Sequence, residues 1–441
     1  MTLETWLPAL LGYLIPVGLF LLAWGGMEPQ RARRAATVGA LALALAALGY
    51  FAVGFAFHLG GAQVVADRRE LDYPGLGGLD RLYEQAEGWG LIGLSGFFLS
   101  GEAATPEALA LFLNYLPLVA TPVLLVVLSL SGRAPGWQAV LGGLVVAALL
   151  FPLAACWAWG GGWLVNIGRV IASPQDPQHG FVDYAGSGVV YLLGGLAALG
   201  ALVGLGQRLP PGEPGEPAEM PPAHFPLLAN LGALLFGLGW LGWSLSVPFH
   251  AAGAELNLPR IAVNGVLAGA GGILASQLYC WLAVGHADAL MSARGAVAGF
   301  VAIAAGAPFL PTWAALTTGV VAGLLLPLGV YLVERVLRLP NGTAAVPLGS
   351  TAGLLGLLVV PLFADGLWGQ GWNGVGLEEY RTVAGQGVTG FFPAAGFIGD
   401  GPGQLIAQLA GSIAIGLLAF LVGWLVFLGL NAISRSREGL E

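Results

Sequence analysis

The 441-residue sequence contains no lysine, so all 16 of its basic residues are arginine. Only 9% of its residues are charged, against roughly 25% in a soluble domain, and water is therefore not its main solvent. With a formal net charge of −8 and no basic face, the chain is not expected to bind nucleic acid. Cysteine is confined to Cys156 and Cys280, each in or at the end of an apolar run, which gives no disulfide framework. Ionisable residues are also scarce inside the apolar runs. His58, His179, His224, His250 and His286 read as helix-end or loop residues, and no Asp, Glu or Arg falls at mid-span. Because charge in hydrocarbon is costly, a cation pump or proton relay built on intramembrane carboxylates is not supported. There is no metal-spaced His/Asp cluster and no nucleophile with a paired base, so neither an enzyme nor a bound metal or cofactor is expected.

What is present is long apolar sequence, with 57% hydrophobic residues. Runs of spanning length predict about eleven transmembrane helices, near 6–26, 35–58, 107–131, 137–157, 184–206, 226–248, 259–283, 289–307, 312–334, 345–364 and 403–431. Short alternating segments of the β-barrel kind are not found, so the fold class is an all-α polytopic membrane protein. The first run follows Glu4 and precedes Arg31, Arg33 and Arg34, the reverse of a cleavable signal peptide. Arg31, Arg33, Arg34, Arg133, Arg208, Arg294, Arg335, Arg338, Arg435 and Arg437 fall on one side. Arg68, Arg69, Arg81, Arg169, Arg260 and Arg381 fall on the other. The excess predicts an outside N-terminus, a cytoplasmic C-terminus and a multi-pass location in the cell (inner) membrane.

The chain reads as one transmembrane domain over 1–441. Residues 1–208 form a first repeat, 209–225 a Pro/Glu linker, 226–364 a second repeat, 365–402 an outer loop, and 403–441 a last helix with a short tail. Five helices before the linker make the second half start from the opposite side, as in an inverted-topology repeat. Glycines four apart, at Gly200/Gly204, Gly265/Gly269, Gly295/Gly299 and Gly319/Gly323, suit close helix packing.

The stretch from Trp159 to Gly206 stands out. Trp159-Gly-Gly-Gly-Trp163 is followed by Asp183-Tyr-Ala-Gly-Ser-Gly-Val-Val-Tyr191, which leads into an apolar helix. Asp183 suits the cap of that helix, or an electrostatic part in attracting a cation. Tyr191 is either a packing residue with a satisfied hydroxyl or part of a pore lining. Trp159 and Trp243 fit an interfacial aromatic belt, or a pair of indoles holding a small cation at an outer vestibule.

Together these residues resemble the ammonium transporter/Rhesus family of channels. The likeness runs in order from Pro16-Val-Gly-Leu and Trp24-Gly-Gly, through Gly49-Tyr50, Trp157-Ala-Trp159-Gly-Gly-Gly, Asp183–Val190, and Gly239-Trp240-Leu-Gly242-Trp243. It continues through Gly295–Ile303 and Gly353-Leu-Leu-Gly356. The resemblance implies a homotrimer in the lipid bilayer, with one narrow apolar pore per subunit conducting ammonium or ammonia. It implies a recruitment tryptophan at Trp159, a gating aromatic at Trp243, and a second gating position at Tyr115 or Leu116. Asp183 matches the acid heading the fifth helix. The family's paired mid-pore histidines fall on Tyr191 and on Gly349 or Leu348, so neither is present. The recruitment serine falls on Val247, beside Ser246. The tail after Leu430 lacks the family's long regulatory segment, which argues against a docked signalling protein. Two functions follow: a divergent channel for ammonium, ammonia or another small polar or gaseous solute, and a non-conducting protein repurposed as sensor, scaffold or binder.

Overall fold

The structure, a computed structural model, describes residues 7, 9–172, 178–209 and 225–438, with side chains as far as 434. Most of the 209–225 linker therefore lies outside the described residues. Among the described residues, nine helices are long and apolar enough to cross a membrane, and two more are apolar but shorter. In chain order they are α1 (Ala9–Gly26), α2 (Pro29–Arg68), α3 (Pro106–Leu130), α4 (Gly136–Ala158), α5 (Ser187–Leu205) and α6 (Pro226–Leu245). They continue as α7 (Leu258–Val284), α8 (Ala289–Ile303), α9 (Thr312–Val336), α10 (Pro347–Phe363) and α11 (Gly401–Glu438), with α8 and α10 the shorter pair.

Two boundaries differ from the sequence expectation for a physical reason. α2 starts at Pro29 rather than near 35, because proline is pre-organised for the first helical turn and the arginines behind it sit on the helix. It also runs on past His58, the end expected from the sequence, and leaves that residue buried within α2. Arg294 lies in the second turn of α8, 4% exposed, and donates from Nη2 to the Gly342 carbonyl at 2.8 Å. It lies inside the helix expected near 289–307, with its stem packed in the bundle and its head reaching the backbone at the bundle's end.

Helix packing is governed by small residues. A Cβ at Gly200 would lie 2.2 Å from the Phe420 carbonyl oxygen, and one at Gly204 2.6 Å from that of Trp424. The α5 and α11 backbones therefore touch without a side chain between them. α7 is approached in the same way by α8 at Gly299 and by α9 at Gly319, both within 2.1 Å of the Ala268 carbonyl oxygen when given a Cβ. In lipid, where apolar side chains gain little by leaving the bilayer, such contact is what joins helices.

The long loops at one end are folded rather than open. Residues 60–105 hold an antiparallel pair, Leu82–Glu84 with Gly90–Gly93, and 365–400 hold a second, Glu379–Tyr380 with Val383–Ala384. Buried charge fastens them: Arg260 at the start of α7 pairs with Asp365 at 2.5 Å, with both side chains largely buried. Gln408 of α11 donates to the Val182 carbonyl at 2.7 Å and accepts from the Val182 N–H at 2.9 Å, locking the approach to α5.

This packing makes Gly200→Val a test of the α5–α11 contact. Overpacking of this kind costs about 1–3 kcal/mol, so the purified variant is expected to melt well below wild type, whereas Gly429→Ala, with open space around it, melts with wild type. Equal melting temperatures for all three proteins would contradict the close contact.

Candidate functional site

The site is built where the segment ahead of α5 meets the ends of α2, α3, α4 and α6. α4 ends at Trp159, and the chain turns sharply through Gly160 and Gly161 (φ +83°). A Cβ on Gly160 would lie 2.1 Å from the His58 carbonyl oxygen, so only glycine lets this turn pass α2. The turn leaves the Trp159 indole buried, with Nε1 donating to the Asp183 carbonyl at 2.8 Å.

Asp183 caps α5. Its Oδ2 accepts from the backbone N–H of Gly188 at 3.0 Å and of Val189 at 2.8 Å, the bonds a helix start leaves over. Burial pushes its carboxyl up to about 7, with the N–H groups of residues 186–189 holding it back, and Oδ1 is buried without a partner. Between cap and helix, Gly186 (φ +86°) brings the chain under Trp159.

The face of Trp159 is covered. His250, in the turn after α6, stacks on it with ring centroids 4.5 Å apart and planes within 5°. His250 Nε2 lies 2.9 Å from the Tyr184 carbonyl, which only accepts, so Nε2 carries the proton. Nδ1 is then the acceptor for the Tyr115 hydroxyl at 2.8 Å. Burial holds this imidazole down, at about 3, so it is neutral. Trp243 also stacks against His250, with ring centroids 6.3 Å apart and planes within 26°, and its Nε1 donates to the Asn114 carbonyl at 2.9 Å. The indoles of Trp159 and Trp243 therefore do not face an open vestibule; an imidazole lies between them. Ser246 spends its proton on the Trp243 carbonyl at 2.7 Å and accepts from Asn114.

Of Tyr115 and Leu116, the structure brings Tyr115 into this cluster, 5.9 Å from Trp159, while Leu116 is a half-buried packing residue of α3. A second imidazole joins it: His58 stacks edge-on to Tyr115 at 4.8 Å and bonds the Tyr50 hydroxyl through Nδ1 at 2.9 Å. Sequence reasoning missed His58 and His250 as members of the site. The hydrogen-bond partner of His250 on α3 is 135 residues away, so no local spacing announces it.

Deeper in the bundle, Tyr191 is 2% exposed, its hydroxyl has no partner, and its ring lies 6.0 Å from Phe236 of α6. Gly349 does not line a space opposite that ring. A Cβ there would lie 2.6 Å from the Tyr191 carbonyl oxygen and 2.7 Å from the Gly195 Cα, so α10 rests directly on the α5 backbone. No imidazole fits at Gly349 in this arrangement. Leu348, beside it, is buried in the apolar core. Both helices begin with a π-helical turn, Ser187–Leu192 and Pro347–Thr351, which places Tyr191 and Gly349 in irregular helix of the kind common at functional sites.

Known proteins fit this arrangement. The sequence model of the Ammonium Transporter Family matches residues 6–437. The chain is 31% identical over 326 residues to the ammonium transporter Amt2 of Archaeoglobus fulgidus, a match covering 74% of this chain and 63% of that protein. It is 29% identical over 294 residues to Amt1 of Methanocaldococcus jannaschii, covering 66% and 62%. The matches thus span less than two thirds of these relatives' lengths. Among solved structures, one titled "Sensor Amt Protein" superposes with a TM-score of 0.75 at 22% identity, over 97% of this chain and 92% of its own. Mep2 of Candida albicans gives 0.73 at 21%, over 97% and 83%. The chain belongs to the ammonium transporter family.

Proposed function

We propose that this multi-pass membrane protein is a channel for ammonium or ammonia, or a closely related small polar solute, with one narrow apolar passage in each subunit of a homotrimer. The N-terminus lies outside and the C-terminus in the cytoplasm of the cell (inner) membrane, with α1–α5 and α6–α10 as inverted repeats and α11 added. The π-helical openings of α5 and α10 support that pairing.

The observation that carries the reading is Tyr191. A tyrosine hydroxyl buried without a partner is expensive unless something visits it, because its hydrogen-bonding capacity is otherwise lost on leaving water. It stands on α5 below the Asp183 cap, where the family resemblance places a pore position. One hydroxyl both donates and accepts, so it bonds ammonia as readily as water. It does not offset the dehydration of an ammonium ion, which costs far more than that of the neutral molecule. The solute therefore passes Tyr191 uncharged, an ammonium ion having given its proton to bulk water at the outer end.

At that end Trp159 recruits the cation and His250 is the gate. The cation's place on the indole face is taken by a neutral imidazole, which must swing aside before cation–π attraction is available. The alternative reading, a non-conducting sensor or binder, is favoured by the same observation if His250 never leaves.

The test is ammonia-driven alkalinisation of proteoliposomes. Wild type is expected to exceed empty vesicles, His250→Ala to exceed wild type, and Tyr191→Phe to fall by about tenfold, the loss of one hydrogen bond of about 1.4 kcal/mol. Tyr191→Phe should melt no lower than wild type, since it removes an unsatisfied buried group. Wild-type flux equal to that of empty vesicles, with His250→Ala equally silent, would sink the channel and leave the binder.

A further inference from the structure

The end of the bundle opposite the folded loops carries Arg31, Arg34, Arg133, Arg294 and Arg335 against Glu28, Asp288 and Glu334 as the neighbouring acids. A cavity of about 340 Å³ opens there between the end of α1, the start of α2, the turn after α3 and the segment leading into α10. Its lining includes Arg31, Arg34, Arg133, Glu28, Gly26 and Gly342.

Among the described residues, none of the three lining arginines has a carboxylate within ion-pairing distance, although Glu28 lines the same cavity. Arg31 is held in place from behind: Nε donates to the Ser131 carbonyl at 2.7 Å and Nη2 to that of Ser129 at 3.5 Å, while Nη1 makes no bond. That Nη1 would lie 3.0 Å from a Cβ on Gly342, so glycine keeps its approach to the far wall open. The Nε of Arg133 is buried with no partner. Burial also lowers the pKa of Arg133, a loss that Glu334 and Glu28 offset only in part.

Arg31 and Arg133 repel each other across this cavity, and with Arg34 on the same lining they leave planar donors suited to oxyanions unused. An anion with several acceptor oxygens relieves both costs at once. We propose that this cavity is a binding site for a phosphate group, whether of free phosphate or of a lipid headgroup, held by Arg31, Arg34 and Arg133. The site is independent of what the passage conducts.

The full chain, reconstituted in phosphatidylcholine vesicles, is titrated with inorganic phosphate while phenylglyoxal labelling of each arginine is followed by peptide mass spectrometry. Phosphate is expected to slow labelling of Arg34 and Arg133 saturably, leaving Arg81 at the opposite end unchanged. Arg34→Gln/Arg133→Gln is expected to bind phosphate at least about tenfold more weakly than wild type by calorimetry, and Arg81→Gln as wild type does. Vesicles containing phosphatidylglycerol distinguish the sources: protection without added phosphate assigns the site to a lipid headgroup, and protection only on adding phosphate assigns it to the free anion. If neither phosphate nor phosphatidylglycerol protects Arg34 and Arg133 in wild type, the site does not exist as proposed, whether or not the double variant folds.

Discussion

Direct contact between the α5 and α10 backbones is the constraint from which the rest of the interior follows. With Gly195 against Ser350 and Gly349 against Tyr191, there is no side-chain layer between the two helices. The same crossing continues at Gly353, whose Cβ would meet the Ser187 carbonyl oxygen at 2.5 Å. The two helices are thereby fixed in height and rotation against each other. Ser187 completes the arrangement, donating to the Val301 carbonyl at 2.7 Å and accepting from Ala305 N–H at 2.8 Å on the α8 side. Tyr191 has little freedom left, because its backbone is pinned by α10 and its ring lies beside Phe236.

The outer cluster depends on that fixed α5 start. Asp183 caps the helix, its own carbonyl holds the Trp159 indole, and the next carbonyl, that of Tyr184, fixes the tautomer of His250. Arg69 steadies the His250 turn from outside, donating to its carbonyl at 3.1 Å. A neutral imidazole stacked on an indole is a modest interaction, whereas its two hydrogen bonds position it firmly. The gate proposed at His250 would therefore rest on these two hydrogen bonds and one ring stack and not on the glycine contacts of the bundle.

Much of this was legible in the sequence. Apolar run length located the spanning helices, because lipid leaves a helix no other way to satisfy its backbone. Glycines four apart signalled close backbone crossings at Gly200/Gly204, Gly295/Gly299 and Gly319/Gly323, while Gly265 and Gly269 make room for the rings of Trp240 and Phe300, and Asp183 ahead of an apolar run signalled a cap. What could not be read were contacts set by the three-dimensional path. Nothing near His250 in the chain marks it as the partner of Trp159 or Tyr115. Aligning Gly349 with a family histidine gave a position but not a direction, and the structure turns that position toward the α5 backbone.

The most direct test of the central claim is a high-resolution structure of the chain in lipid nanodiscs equilibrated with ammonium. The account predicts ordered solute within hydrogen-bond distance of the Tyr191 hydroxyl, with Gly349 still seated on the α5 backbone. A Tyr191 hydroxyl sealed by apolar side chains, with ammonium bound elsewhere or α10 lifted away from Gly195, would contradict it.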